Sequence, residues 1–328
     1  MISILKKLPM AICGLILGIA SLGNLFVNEK LIGPANFCGG LAIFLMFFVV
    51  IKLVSSFETV WAEIKNPVAA ATLPTFTMAM MVIATHLGRW GLHNLGLGLW
   101  LVSIVVQFMI TGTFIYFHLI KPEVGIEHVY PSWFVTFVGI GVAPVTAGQF
   151  IPELGRILLV VALIFYAILL PIVLWRLYRY KEMPEGTLPL ITITAAPASL
   201  CLSGYLFSFN QINIIFAVAM GILAQLLYFA TVLTMIRIYV SVRHSLLKFF
   251  PSFAAFTFPM VISATGLFML FQKLPYTAVT PFFTVLSYVE QGFAICVILF
   301  VLLQYSRFVW GLITAHHQES IMKHETLG

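Results

Sequence analysis

Residues 57–87 read FETVWAEIKNPVAAATLPTFTMAMMVIATHL, and their order decides the class of fold. A short segment carrying Glu58, Glu63 and Lys65 ends at Asn66-Pro67, and no charged residue follows until Arg89. Proline suits the first turn of a helix, where its missing N–H costs nothing. Roughly 20 apolar residues cross the hydrocarbon core of a bilayer as a helix. Residues 67–87 therefore read as a spanning helix opened by Pro67. Its first half is rich in small residues (Ala69, Ala70, Ala71, Thr72, Thr75, Thr77), and Pro74 interrupts it.

The same unit recurs on both sides of this stretch. Pro9, Pro67, Pro131, Pro189 and Pro251 each open an apolar segment, at separations of 58, 64, 58 and 62 residues. Each unit is one helical hairpin: a Pro-started helix, a turn, a second helix and a basic loop. Ten spans are expected, at 8–27, 34–54, 67–87, 95–119, 131–150, 154–177, 188–208, 212–238, 250–271 and 278–305. Any ten-helix chain of this length has about 60 residues per hairpin, but the recurrent opening proline points to a true repeat. The expected fold is an all-α polytopic membrane protein, with ten transmembrane helices as five hairpins around a central pore in quasi-fivefold symmetry. Residues 1–311 form this domain, and 312–328 read as a polar cytosolic tail.

Composition agrees. The chain is 61% hydrophobic and 9% charged, with mean hydropathy +1.07 over 328 residues. A soluble domain carries about 25% charged residues, so this core must face lipid. Lys6 and Lys7 before an apolar run resemble a signal peptide. The run 8–27 is long and lacks a small-x-small cleavage pattern, which favours a first spanning helix.

Several function classes drop out. The chain contains no Asp, which excludes motifs that require it. Cys13, Cys38, Cys201 and Cys296 lie in apolar stretches without metal-ligand spacing, and no cofactor is called for. A membrane enzyme would need clustered histidines or carboxylates inside the bilayer, and the eight histidines are scattered. The net charge of +6 comes from basic residues placed singly between apolar stretches, so nucleic acid is not an expected partner. Thirteen Lys and Arg fall on the side holding both termini, and four (Lys30, Arg89, Arg156, Lys273) on the other. The positive-inside rule then puts both termini in the cytosol, with the protein in the plasma (inner) membrane.

Odd- and even-numbered helices differ. The odd set holds Gly14, Gly18, Gly139, Gly141, Ser199, Ser203 and Gly266, whereas the even set is bulkier. Small residues let backbones approach, and five such helices around an axis leave space. Odd helices are expected inside and even ones outside, close packing without a pore being the alternative. Pro74, Pro144, Pro197 and Pro259 interrupt odd helices. Each frees a carbonyl, which persists at membrane depth only inside protein or beside a watery cavity.

Three motifs carry a resemblance. Phe57-Glu58-Thr59-Val60-Trp61-Ala62-Glu63 followed by Pro67-Val68, then Pro131-Ser132-Trp133-Phe134, then Ala255-Phe256-Thr257-Phe258-Pro259, occur in order. Together with the spacing of Pro9, Gly14 and Gly18, they resemble the tellurite-resistance/dicarboxylate transporter family, which includes the slow-type anion channels of plant guard cells. The resemblance covers about residues 8–310. It implies a trimer whose protomers each have a pore lined by odd helices. Members conduct chloride or nitrate, or move malate, sulfite or related anions. A phenylalanine on the ninth helix plugs the pore, and by motif it is Phe258, with Thr257 beside it. Phe256, two residues away on another face, is its competitor.

The inner spans contain no Lys, Arg, Asp or Glu, so ions would be selected by dehydration cost and weak Ser/Thr and backbone donors. Inner helices start at the cytosol, where their positive ends together with Lys7, Lys65 and Lys248 make an anion-attracting mouth. The expected function is an anion channel passing chloride or nitrate through a neutral pore. The alternative is a secondary transporter of dicarboxylate, sulfite or tellurite-type oxyanions, driven by coupled protons. Glu290 is a carboxylate deep within a span. It is either a regulatory, proton-sensing group or a hydrogen-bonded structural one.

Overall fold

The computed structural model describes residues 2–120, 125–126, 129–180, 183–241 and 249–325, and all its regular structure is helical. Eight described helices are long and apolar enough to cross a membrane, and two shorter apolar ones accompany them. The chain is thus an all-α polytopic membrane protein. In chain order the spans are α1 (Ile12–Asn28), α2 (Ile32–Ser55), α3 (Pro67–Arg89), α4 (His93–Ile120) and α5 (Trp133–Gln149), then α6 (Pro152–Arg179), α7 (Glu185–Ser208), α8 (Ile214–Ser241), α9 (Pro251–Lys273) and α10 (Thr280–Glu325). Their ends fall within four residues of expectation, except that α10 runs on through most of the anticipated tail. Short helices Ile2–Lys7 and Phe57–Lys65 precede α1 and α3.

The odd helices close into a ring. α1 packs on α3, α3 on α5, α5 on α7, α7 on α9, and α9 returns to α1. Each even helix packs on the odd helix before it and leans on the next. Burial separates the sets: 72, 83 and 89% of the apolar windows of α3, α7 and α9 are buried, against 28–39% for the even helices. The outer faces carry Phe37, Phe44, Phe47, Ile157, Ile222 and Phe282, an apolar surface too extensive for water.

Small residues and threonines hold the ring together. In lipid, helices associate through close packing and interhelical hydrogen bonds, each worth roughly 0.6–2 kcal/mol. A Cβ at Gly18 would sit 2.7 Å from Thr257 Cβ, so only glycine permits this approach of α1 to α9. Thr257 Oγ1 then donates to the Gly14 carbonyl at 2.9 Å. Thr136 donates to Ala71 O (3.1 Å), Thr192 to Ala255 O (2.9 Å), and the Ser199 and Ser263 hydroxyls meet at 3.0 Å.

Four inner helices change geometry part-way. α3 breaks between Pro67–Thr72 and Thr75–Arg89 at Pro74. Pro144 lies between 3-10 turns Gly139–Gly141 and Ala147–Gln149. α7 and α9 begin as 3-10 helices, Glu185–Ala195 and Pro251–Phe256, and become α-helical just before Pro197 and Pro259. Pro259 has no N–H for the carbonyl of Ala255 four residues back, and the Thr192 hydroxyl takes that carbonyl instead.

On the terminus side, Lys52 lies in the last turn of α2. It is buried, pairs with Glu63 at 3.0 Å and donates to the Leu8 carbonyl. This contact ties helix Phe57–Lys65 to α2 and to the start of α1. Asn66 caps α3 by accepting from Val68 N (3.0 Å) and Ala69 N (3.1 Å).

Candidate functional site

Two cavities follow one another along the ring axis. The one toward the terminus side has a volume of about 60 Å³ and is walled by all five inner helices, through Leu17, Met78, Val138, Ile193 and Pro259 among others. The one toward the hairpin-turn side has about 180 Å³, room for several waters, and is also walled by all five. Phe258 of α9 and Leu200 of α7 line both. Both are buried, at 7% and 3% exposure, so these two side chains separate the cavities.

The two chambers differ in chemistry. The terminus-side lining is almost wholly hydrocarbon. Its hydroxyls are turned to the backbone: Thr72 donates to Ala69 O, Thr75 to Thr72 O and Ser252 to Gly186 O. The hairpin-turn chamber is polar, with Ser21, Asn24, Thr85, Thr146, Gln149 and Arg89 in its lining. Thr146 receives the indole N–H of Trp100 at 2.8 Å and itself donates to backbone. Among the described residues no carboxylate lines either chamber. Among the described residues no group of three His, Cys, Asp or Glu is placed to hold a metal.

A family profile described as SLAC1, voltage-dependent anion channel, matches residues 7–306. The chain belongs to the voltage-dependent anion channel family. Similar proteins include two uncharacterized transporters of the archaeon Methanocaldococcus jannaschii, 24% and 25% identical over 217 residues. Those alignments take in 60% of this chain and 61% and 62% of theirs, so the chain spans about three fifths of the length of the curated relatives it matches.

Within this voltage-dependent anion channel fold, the residues singled out by sequence divide into groups. Phe258, Pro197 and Pro259 wall the terminus-side chamber. Pro74 and Pro144 mark helix breaks without lining either chamber. Thr257 is fully buried between α1 and α9, its hydroxyl on Gly14 O and Ala254 O, and lines neither. Phe256 turns from the axis to stack on Phe253, ring centres 5.6 Å apart. Glu290 is buried on outer helix α10 beside Gln225 of α8, away from both chambers. Lys7 and Lys65 are exposed on the terminus side, and Lys248 lies outside the described residues. Two features escaped the sequence reading. Leu200 is one leucine among many, and only the ring places it with Phe258 in the wall of both chambers. Arg89 looked like a loop charge, yet it turns inward into the hairpin-turn chamber.

Proposed function

We propose that this chain is an anion channel whose path runs along the ring axis and is shut by Phe258 against Leu200. The observation carrying this reading is that, among the described residues, these two side chains alone line both chambers. An aromatic ring in an apolar constriction blocks the path sterically and resists wetting. With no carboxylate in either lining among the described residues, cations find no ligand there, and anions are favoured by positive charge at both ends (exposed Lys7 and Lys65 on one, half-buried Arg89 on the other). Chloride and nitrate are the proposed permeant ions. The hydrocarbon chamber favours the less hydrated nitrate, because the Ser/Thr hydroxyls there are already spent on backbone.

In this proposal both termini are cytosolic, by the excess of Lys and Arg on their side, and the membrane is the plasma (inner) membrane. The protomer assembles as a homotrimer, each copy keeping its own pore. The relatives named as transporters favour a second reading, proton-coupled export of dicarboxylate, sulfite or tellurite-type oxyanions. Proteoliposomes separate the two. Nitrate or chloride flux that persists without a proton gradient supports the channel. Flux that collapses with the gradient, or occurs only for carboxylate or oxyanion substrates, supports the transporter.

A further inference from the structure

Arg89 ends α3 at the rim of the hairpin-turn chamber, and three neutral groups hold it. His86 Nε2 lies 3.0 Å from the Ala20 carbonyl, which only accepts, so this nitrogen carries the proton. His86 Nδ1 is then free to accept from Arg89 Nη2, 2.8 Å away. Asn24 Oδ1 accepts from the same nitrogen at 2.7 Å. The Gln149 amide, oriented to satisfy both neighbours, accepts from Arg89 Nη1 at 3.1 Å and donates to Thr85 O at 3.1 Å. The imidazole is itself wedged between α1 and α2: a Cβ at Gly39 would lie 2.5 Å from Nδ1, and one at Gly23 would lie 2.7 Å from Cε1. The guanidinium is therefore positioned by packed, rigid parts on three inner helices.

The cage leaves two things over. A guanidinium has five N–H donors. Three are used, so Nε–H and one Nη1–H are uncommitted among the described residues. Its positive charge also has no counter-ion, since the ion pair present among the described residues is Lys52–Glu63. Of the other bases on this side, Lys30 is exposed, and Arg156 and Lys273 are differently employed. Arg156 donates to Ser208 O at 3.2 Å and Lys273 to Phe209 O at 2.6 Å, both capping the end of α7. A preorganised cation with spare donors on a polar cavity of about 180 Å³ has the chemistry that a small anion needs.

We propose that Arg89, held by Asn24, His86 and Gln149, binds a small monovalent anion in the hairpin-turn chamber, as the station beyond the Phe258 constriction. The proposal rests on the axial path being the anion path. Acting next to an apolar barrier, such a site raises the local anion concentration and makes conduction depend on which side supplies the ion.

The test uses the full chain in planar bilayers, in a Phe258→Ala background so that currents are measurable. The readout is the chloride or nitrate concentration at half-maximal current, measured from each side. Arg89→Gln is expected to raise it about fivefold or more from the hairpin-turn side and much less from the other. Arg89→Lys is expected to retain most of the affinity. Asn24→Asp keeps Arg89 in place but sets a carboxylate against it, and is expected to reproduce the Arg89→Gln effect. It also decides the matter if Arg89→Gln fails to fold. Unchanged half-saturation in Asn24→Asp overturns the proposal, even while reversal potentials still follow the anion gradient and the channel reading stands. If the Phe258→Ala parent carries no anion current, the channel reading falls instead. Arg89 is then judged by melting temperature in detergent: a rise with nitrate over gluconate that Asn24→Asp abolishes supports the site, and equal melting in both salts overturns it.

Discussion

Truncating Phe258 to alanine removes the ring that stands between the two chambers. In the closed arrangement the ring is 7% exposed, so opening by a swing of the side chain gives up nearly all its contacts. Burial of a Phe side chain is worth about 1.5–3 kcal/mol, and each 1.36 kcal/mol is a factor of ten in a rate. If the swing is the barrier, Phe258→Ala should raise anion current roughly ten- to a hundredfold. A Phe→Ala change in a packed core costs about 3–5 kcal/mol. Here the ring already borders chambers of about 60 and 180 Å³, so the loss should fall below that range. The assay is current per channel in planar bilayers, beside thermal unfolding of the same protein in detergent. A well-folded Phe258→Ala protein that conducts no better than the parent refutes the reasoning.

Phe256→Ala is the contrasting case. The ring packs on Phe253 outside the path, so unfolding should show a loss of about 3–5 kcal/mol with no gain in current. Glu63→Gln leaves Lys52 buried with its charge unmatched. It should lower the melting temperature, and adding Lys52→Met should recover much of the loss, because removing one partner of a buried pair is worse than removing both. Glu290→Gln replaces a buried carboxylate beside Gln225 at nearly constant volume. The variant should fold at least as well as the parent and shift the pH dependence of anion flux, whereas an unchanged pH profile would leave Glu290 a structural residue.

Much of the architecture was legible because its causes are local. Pro67 after Asn66 announces a helix start, and the structure supplies the matching cap from Asn66 to Val68 and Ala69. Gly14 and Gly18 mark a close approach whose partners, Ala254 and Thr257, are named only by the fold. The site was legible in part. Phe258 stood out through its motif and the adjacent Pro259, but the direction of each neighbouring side chain depends on where the 3-10 half of α9 gives way to α-helix. That transition turns Thr257 to Gly14 and Phe256 to Phe253. The burial of Lys52 was not legible because its partners, Leu8 O and Glu63, are distant in the chain. The inward turn of Arg89 was hidden for the same reason, its cage being drawn from α1, α3 and α5.

The central claim is that the ring axis carries anions and excludes cations. Reversal potentials of the purified Phe258→Ala protein, in bilayers with independent sodium, chloride and nitrate gradients, test it most directly. The account predicts reversal at the anion equilibrium potential, insensitive to the sodium gradient, with nitrate at least as permeant as chloride. Reversal that tracks sodium or potassium would contradict it.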